Sequence, residues 1–355
     1  MTVPKPGMKI LAIETSCDET AIALVEGVKN SALGFSFDVL KAALLSQALL
    51  HSPYGGVYPN LAKREHQKNL PVLFEQFKNE EYGAIAVTAG PGLEPALWTG
   101  ITFAEALAKE TGKPLYPINH MEGHLISSLA QNGKIGNVQF PVLGLLISGG
   151  HTEFIFMKDW FDYELVGQTL DDAVGEAFDK VARTLGLPYP GGPEISKLAK
   201  EAREKNISSP KKLPRPMIQE NTCDVSFSGL KTSVLYAVRD MNLSEDEKKG
   251  FAREFEDAVA DVLVSKSKRA LRETGAKTMV LGGGVAANAH LRETIPNALK
   301  KEFFDVDFLL PDPSITGDNA IMIAEAALAR ALSGAISPAT QAIVARGNLS
   351  LSSAV

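Results

Sequence analysis

What most constrains this chain is a rhythm in which a short apolar run meets a glycine or polar turn and then a second strand or a helix. It recurs in both halves of the sequence. Residues 8–13 (MKILAI) read as a buried strand, and residues 20–25 (TAIALV) as its hairpin partner across a turn containing CDE. Residues 83–88 (GAIAVT) form a strand that AGPG turns into a helix over 96–109, after an earlier helix over 61–78. A strand over 114–118 leads into a helix starting near Asn119, and 141–147 pairs with 153–157 around SGGHT. The second half has helices over 171–185 and 248–274, then a strand over 277–281 ending in GGG with a helix from Ala286. A loop over 309–318 precedes an alanine-rich helix over 319–332. This pattern fits a duplicated mixed-sheet α/β fold with a cleft between two lobes better than one doubly wound sheet. The expected division is residues 1–125 plus 312–335 as the first lobe and 126–311 as the second. Residues 186–225, rich in Pro, Ser and Lys, read as an insertion near the cleft, and 336–355 as a tail.

Charge limits the partners. With 36 Lys and Arg against 42 Asp and Glu, the 355-residue chain carries a net charge of −6. A nucleic acid would therefore have to meet a local basic patch or be presented by another subunit. Two cysteines, Cys17 and Cys223, rule out a disulfide framework. There is no secretion-type N-terminus, and apolar runs such as 142–147 are too short for a bilayer, so a cytoplasmic location without membrane contact is expected.

Four motifs carry chemistry. The glycine turns 148–152 (SGGHT) and 282–288 (GGGVAAN) let backbone N–H groups approach a phosphate or base closely, and neither has Walker spacing. Each alone is equally a tight connection. In NHMEGH, His120 and His124 stand four apart on an expected helix, so both imidazoles leave one face, a sound geometry for two metal ligands. Glu122 points off that face, which argues against a peptidase-type base. Asp318, ahead of the alanine-rich helix, is either a third ligand or that helix's N-cap. In IETSCDET, Asp18 and Glu19 either position a metal-bound water or phosphate or tip a solvated hairpin; Cys17 has no activating base nearby. In DDAVGEAFDKVAR, Asp172, Glu176 and Asp179 are either a wet helix face or a ribose-binding carboxylate set. Residues 197–215 hold seven Lys or Arg against two Glu, a phosphate-contacting patch or a solvated loop.

IETSCDET, YGGVYP, AGPG, NHMEGH, SGGHT, DDAVGEAFDKVAR, YPGGP, PRPM, SFSGLKT, GGGVAAN and GDNAIMIA occur in one order over about residues 8–335. In this the chain resembles the TsaD (formerly Gcp) family, bacterial relatives of the catalytic subunit of the KEOPS complex. The resemblance implies a two-lobed actin/Hsp70/sugar-kinase (ASKHA) fold. It implies transfer of the threonylcarbamoyl group from threonylcarbamoyl-AMP to N6 of adenosine 37, in tRNAs reading codons that begin with A. The product is N6-threonylcarbamoyladenosine (t6A). It assigns His120, His124 and Asp318 to one divalent metal ion, Fe2+ with Zn2+ as the alternative. It assigns Leu146, Ile147, Ser148, Gly149, Gly150, Asp179, Gly192 and Asn288 to the substrate nucleotide. Together with the metal triad, Asp18 and Glu19 complete the candidate catalytic set. The implied partners are tRNA, TsaB and the ATPase TsaE, with TsaC supplying the intermediate.

The chain departs from the family pattern in three places. Thr316–Asn319 stands for the common CTDN, Asn60 for the glutamate of PELA, and the RW ending is missing. Three rival readings are weighed: a glycoprotein metallopeptidase, a sugar or carboxylate kinase, and a non-catalytic docking scaffold of the same fold. The first needs a differently placed glutamate, the second does not explain NHMEGH, and the third does not explain retention of every motif.

Overall fold

The computed structural model describes residues 7–31, 34–136 and 138–352. The first six residues of the expected first lobe and the last three of the expected tail lie outside the described residues. The chain opens with β1 (Met8–Glu14), β2 (Glu19–Ser31) and β3 (Gly34–Ser46), an antiparallel meander. Next come the short α1 (Ala48–His51), α2 (Pro59–Phe74), β4 (Ala84–Gly90), α3 (Glu94–Thr111) and β5 (Leu115–Asn119). α4 (His120–Leu129) and β6 (Lys134–Ile135) follow. A second meander comprises β7 (Val142–Ile147), β8 (Thr152–Asp159) and β9 (Asp162–Gln168). After it come α5 (Val174–Thr184), α6 (Gly191–Glu204), α7 (Ser228–Val238) and the 30-residue α8 (Glu245–Thr274). β10 (Thr278–Gly282), α9 (Ala289–Leu299), β11 (Asp307–Leu309) and α10 (Ala320–Leu332) complete the elements.

The duplication appears in strand order. The first sheet runs β5-β4-β1-β2-β3-β6 and the second β11-β10-β7-β8-β9. In each, the first strand of the meander pairs antiparallel on one side and parallel, with a later strand, on the other. β1 and β7 are therefore central strands, which is why MKILAI and VLGLLI are continuous apolar runs rather than alternating ones.

Between the sheets lie α4 and α10. One buried cluster joins Ile10, Ala12 and Val25 of the first sheet, Leu125 and Ile126 of α4, Ile323 and Ala327 of α10, and Leu146, Ile155 and Val280 of the second sheet. Small residues allow the close approach: a Cβ on Gly144 of β7 would lie 2.7 Å from Leu125 Cδ1. The two helices that start with candidate metal ligands are thus the middle layer of the molecule.

Several expectations change. β3 was not anticipated; most of it is exposed, so it lacks the alternation that marks a half-buried strand. Part of the stretch 186–225 is a packed helix, because α6 occupies most of its first half and buries Ile195, Ala199 and Ala202. The helix expected from Ala286 starts at Ala289 after a 3-10 turn, since Asn288 supplies the cap. Residues 336–352 dock on the first lobe: Ile343, Ala345 and Leu349 are buried, and Arg346 N–H donates to Ala89 O at 2.9 Å.

Candidate active site

β5 runs into α4 at Asn119, whose side chain accepts from the N–H of Met121 (2.8 Å) and of Glu122 (3.2 Å). That cap fixes the first helical turn, so His120 and His124 stand one turn apart with ring centroids 4.7 Å apart and planes at 85°. Asp318 arrives from the other side, immediately ahead of α10. Its alternative reading as a helix cap falls away, because Asn319 takes that role and accepts from Met322 N–H at 3.1 Å. The Asp318 carboxylate instead faces the histidines, with Oδ1 3.1 Å from His124 Nε2 and 3.4 Å from His120 Nε2.

A residue missed in the sequence completes the cluster. Glu14, fully buried at the end of β1, holds His120 Nδ1 at 3.0 Å through Oε2 and accepts from Thr88 Oγ1 at 2.6 Å. It also accepts from Ser16 N–H. Its only signal was a polar residue closing a buried strand, which is also how any strand stops. With Nδ1–H donating to the Glu14 carboxylate, the neutral His120 ring turns the lone pair of Nε2 toward Asp318, where it can ligate a metal.

Burial alone would push Glu14 and Asp318 up, but His120 outweighs it and holds both carboxyls below their ordinary range. For His120, burial is likewise outweighed by Asp318 and Glu14, which raise it well above a free imidazole. Burial dominates at His124 and lowers it. His151 of the SGGHT turn, not singled out in the sequence, is lowered to about 4 by burial and then by the charge of His120.

Asp18 and Glu19 lie in the β1–β2 turn. Glu19 is pushed up to about 9 by burial, then by Asp18 and Asp318, so this turn lies within the electrostatic reach of the triad. Cys17 is pushed well up by burial and then by Asp18, which keeps it a thiol and removes it as a nucleophile.

The two glycine turns touch. Gly283 has φ +87°, and a Cβ there would meet Ile147 O at 2.5 Å. Gly283→Ala is therefore expected to destabilise the fold by about 1–3 kcal/mol through left-handed strain and this clash, read by denaturant unfolding. Unchanged stability would refute the close approach. Leu146 and Ile147 bury their side chains in the core, so a ligand can meet them only through backbone, whereas Gly149 and Gly150 are exposed beside the buried Ser148. Gly175 brings the start of α5 against this turn, since a Cβ there would meet Ser148 O at 2.6 Å.

Asp179 accepts from Gly191 N–H at 2.7 Å, and space lies open beside Gly192. Burial raises the Asp179 carboxyl despite bonds from the Gly191 and Gly192 amides. Asn288 is committed to structure: Oδ1 accepts from Leu291 N–H at 2.9 Å, and Nδ2 donates at 2.7 Å to both Ser196 and Glu256.

Two charged stretches are engaged in part by ion pairs. Asp172 is paired with Lys180 and Lys231, and Glu176 with Lys180. In the basic stretch 197–215, Arg203, Lys212 and Arg215 pair with Glu254, Glu256, Asp257 and Asp261 of α8, while Lys197, Lys205 and Lys211 have no ion-pair partner among the described residues.

Two sheets of matching order around a helical middle layer define an α/β protein of the ASKHA type, with a His–His–Asp cluster in its cleft. Solved structures agree on the fold. A full-length HypF in its phosphate- and nucleotide-bound form matches 94% of the chain with a TM-score of 0.57 at 13% identity. HypF of T. kodakarensis matches 95% with a TM-score of 0.59 at 15% identity. The chain spans about half of each, 48% and 50%. In sequence, residues 38–325 match the family TsaD: tRNA N6-adenosine threonylcarbamoyltransferase. The tRNA N6-adenosine threonylcarbamoyltransferase of Dichelobacter nodosus (strain VCS1703A) is 43% identical over 349 residues, 97% of each chain. This chain belongs to that family and is a transferase.

Proposed function

We propose that this protein transfers the threonylcarbamoyl group from threonylcarbamoyl-AMP to N6 of adenosine 37, in tRNAs reading codons that begin with A, forming t6A. The observation that carries the reading is the convergence of His120 Nε2, His124 Nε2 and Asp318 Oδ1, all within 4.8 Å of one another. Two ligands bonded to one ion at about 2.1 Å and at angles of about 90–110° stand roughly 3.0–3.5 Å apart. The 3.1 and 3.4 Å separations match, and the Glu14 bond to Nδ1 is the outer support a metal-bound imidazole needs. The residues therefore fit a divalent ion, with iron the reading and zinc the alternative. Such an ion supplies Lewis acidity to the carbonyl that the adenine amine attacks.

The chain's own groups do the rest. Amides of Gly149 and Gly150 bind the phosphate of the leaving AMP, and Asp179 with the Gly192 backbone orients its ribose. Asp18 and Glu19, on the turn that Asp318 influences, are assigned to positioning the reacting group. Glu19, pushed up to about 9, is a neutral carboxyl that can donate a hydrogen bond, and the proton that leaves N6 departs with the AMP phosphate. Glu122 takes no part, which weakens the peptidase reading: it is fully buried and engaged by Arg330 and Tyr163. A scaffold would have no use for converging donor atoms. TsaB and TsaE are the proposed protein partners, TsaC the source of the intermediate, and the cytoplasm the location. Among the described residues no helix is long and apolar enough to cross a membrane.

The chain, incubated with threonylcarbamoyl-AMP and unmodified tRNA with and without TsaB and TsaE, is expected to yield t6A detectable by mass spectrometry. Unmodified tRNA in every arm would sink the reading.

A further inference from the structure

Both arginines of the expected basic patch are taken up by ion pairs, which leaves open where an acidic protein holds RNA. One cavity among the described residues bears on it. It has a volume of about 250 Å3 and takes walls from both lobes, including Tyr54 and Gly55 on one side and Asp179, Arg183 and Tyr189 on the other. Its first-lobe lip is aromatic and exposed. Tyr54 is 62% and Tyr58 52% exposed, and their rings stack at 5.6 Å and 26°. Arg183, one turn beyond Asp179 on α5, is exposed and has no ion-pair partner among the described residues; its Nη1 would lie 3.3 Å from a Cβ on Gly55.

Two large exposed rings and a guanidinium with no ion-pair partner among the described residues thus meet at one cavity, a combination able to hold a base and a phosphate together. Enzymes that act on a base must draw it out of its stack, and the neighbouring bases then lose their partners. Aromatic rings and guanidinium planes are what replace those partners in single-stranded RNA, and arginine binds phosphate with a matching fork of donors. Asp179, assigned above to the adenylate ribose, is one of the residues lining the cavity. Its remaining lining is open to the second reactant.

We propose that Tyr54, Tyr189 and Arg183 form the docking site for a nucleotide flanking the target adenosine, the tyrosines stacking on its base and Arg183 binding its phosphate. This rests on the functional reading above.

The test is steady-state transfer by the full chain with TsaB and TsaE, varying tRNA at saturating threonylcarbamoyl-AMP and the reverse. Tyr54→Ala should raise KM for tRNA by on the order of tenfold, as loss of one base–aromatic stack does. Tyr54→Phe, which keeps the ring, should restore it. Arg183→Ala should raise the same KM and flatten its dependence on log salt concentration by about one unit, as loss of one phosphate contact does. KM for threonylcarbamoyl-AMP should not move in any of them. These side chains are at the surface, so the variants are expected to melt like the wild type. If KM for tRNA is unchanged in both alanine variants, or KM for the adenylate rises instead, the docking assignment is overturned while the functional reading stands. If the wild-type chain makes no t6A, both fall.

Discussion

His124→Ala is expected to abolish binding of the proposed metal ion and with it transfer to tRNA, while leaving the fold intact. The substitution leaves two donors where three converge, and the remaining histidine is drawn toward protonation by Asp318 and Glu14, which hold His120 well above a free imidazole. Proton and metal compete for the same nitrogen, so metal affinity should rise with pH and binding should release a proton. Glu14→Gln is the graded comparison. It keeps shape and burial but weakens the bond to His120 Nδ1, and losses of such supporting groups cost about 10–100-fold in metal affinity or activity. His124→Ala should exceed that range, with metal content near zero by elemental analysis. A His124→Ala protein that kept both its metal and its t6A yield would refute the site.

The contrast between these two residues also marks what the sequence could disclose. The histidine pair is legible because four-residue spacing at a helix start is a local fact with one geometric meaning. Asp318 is legible only as one of two readings, and the choice depends on Asn319, whose own side chain takes over the cap. Glu14 is illegible, because its meaning comes from His120, 106 positions away. The duplicated strand rhythm predicts two mixed sheets, yet β3 escapes it because a strand exposed on most of its length has no burial pattern to read. α6 carried its signal, with Ile195, Leu198, Ala199 and Ala202 at helical spacing, beneath a Lys- and Pro-rich composition that suggested a loop. For the basic stretch the charges were countable, but the acids that pair with Arg203 and Arg215 lie 39–54 positions further along the chain. Composition counts charges and cannot say which are already paired.

Glu122 shows the same long-range dependence and yields the largest expected effect on stability. It lies between the two histidines on α4, fully buried, and Arg330 of α10 reaches both its oxygens through Nε at 2.9 and 2.7 Å. Tyr163 donates a third bond at 2.5 Å. The pair ties together the two helices that position the candidate ligands, with the guanidinium also 4.8 Å from the ring of Phe161. Arg330→Ala would leave a carboxylate in the middle layer without its countercharge, and breaking a buried pair from one side costs about 3–5 kcal/mol. Replacing both partners, as Glu122→Gln with Arg330→Met, removes the charge with its partner and keeps most of the volume. That double variant is expected to be more stable than Arg330→Ala alone, because the penalty lies mostly in the orphaned charge. Denaturant unfolding of the wild type, the single variants and the double variant measures the coupling directly. A loss under about 1 kcal/mol in Arg330→Ala, or a double variant no better than it, would refute the orphaned-charge argument. Activity separates structure from chemistry at the same residue: Glu122→Gln should lower metal retention and transfer together. Loss of transfer with full metal content would instead mark Glu122 as a participant in the reaction.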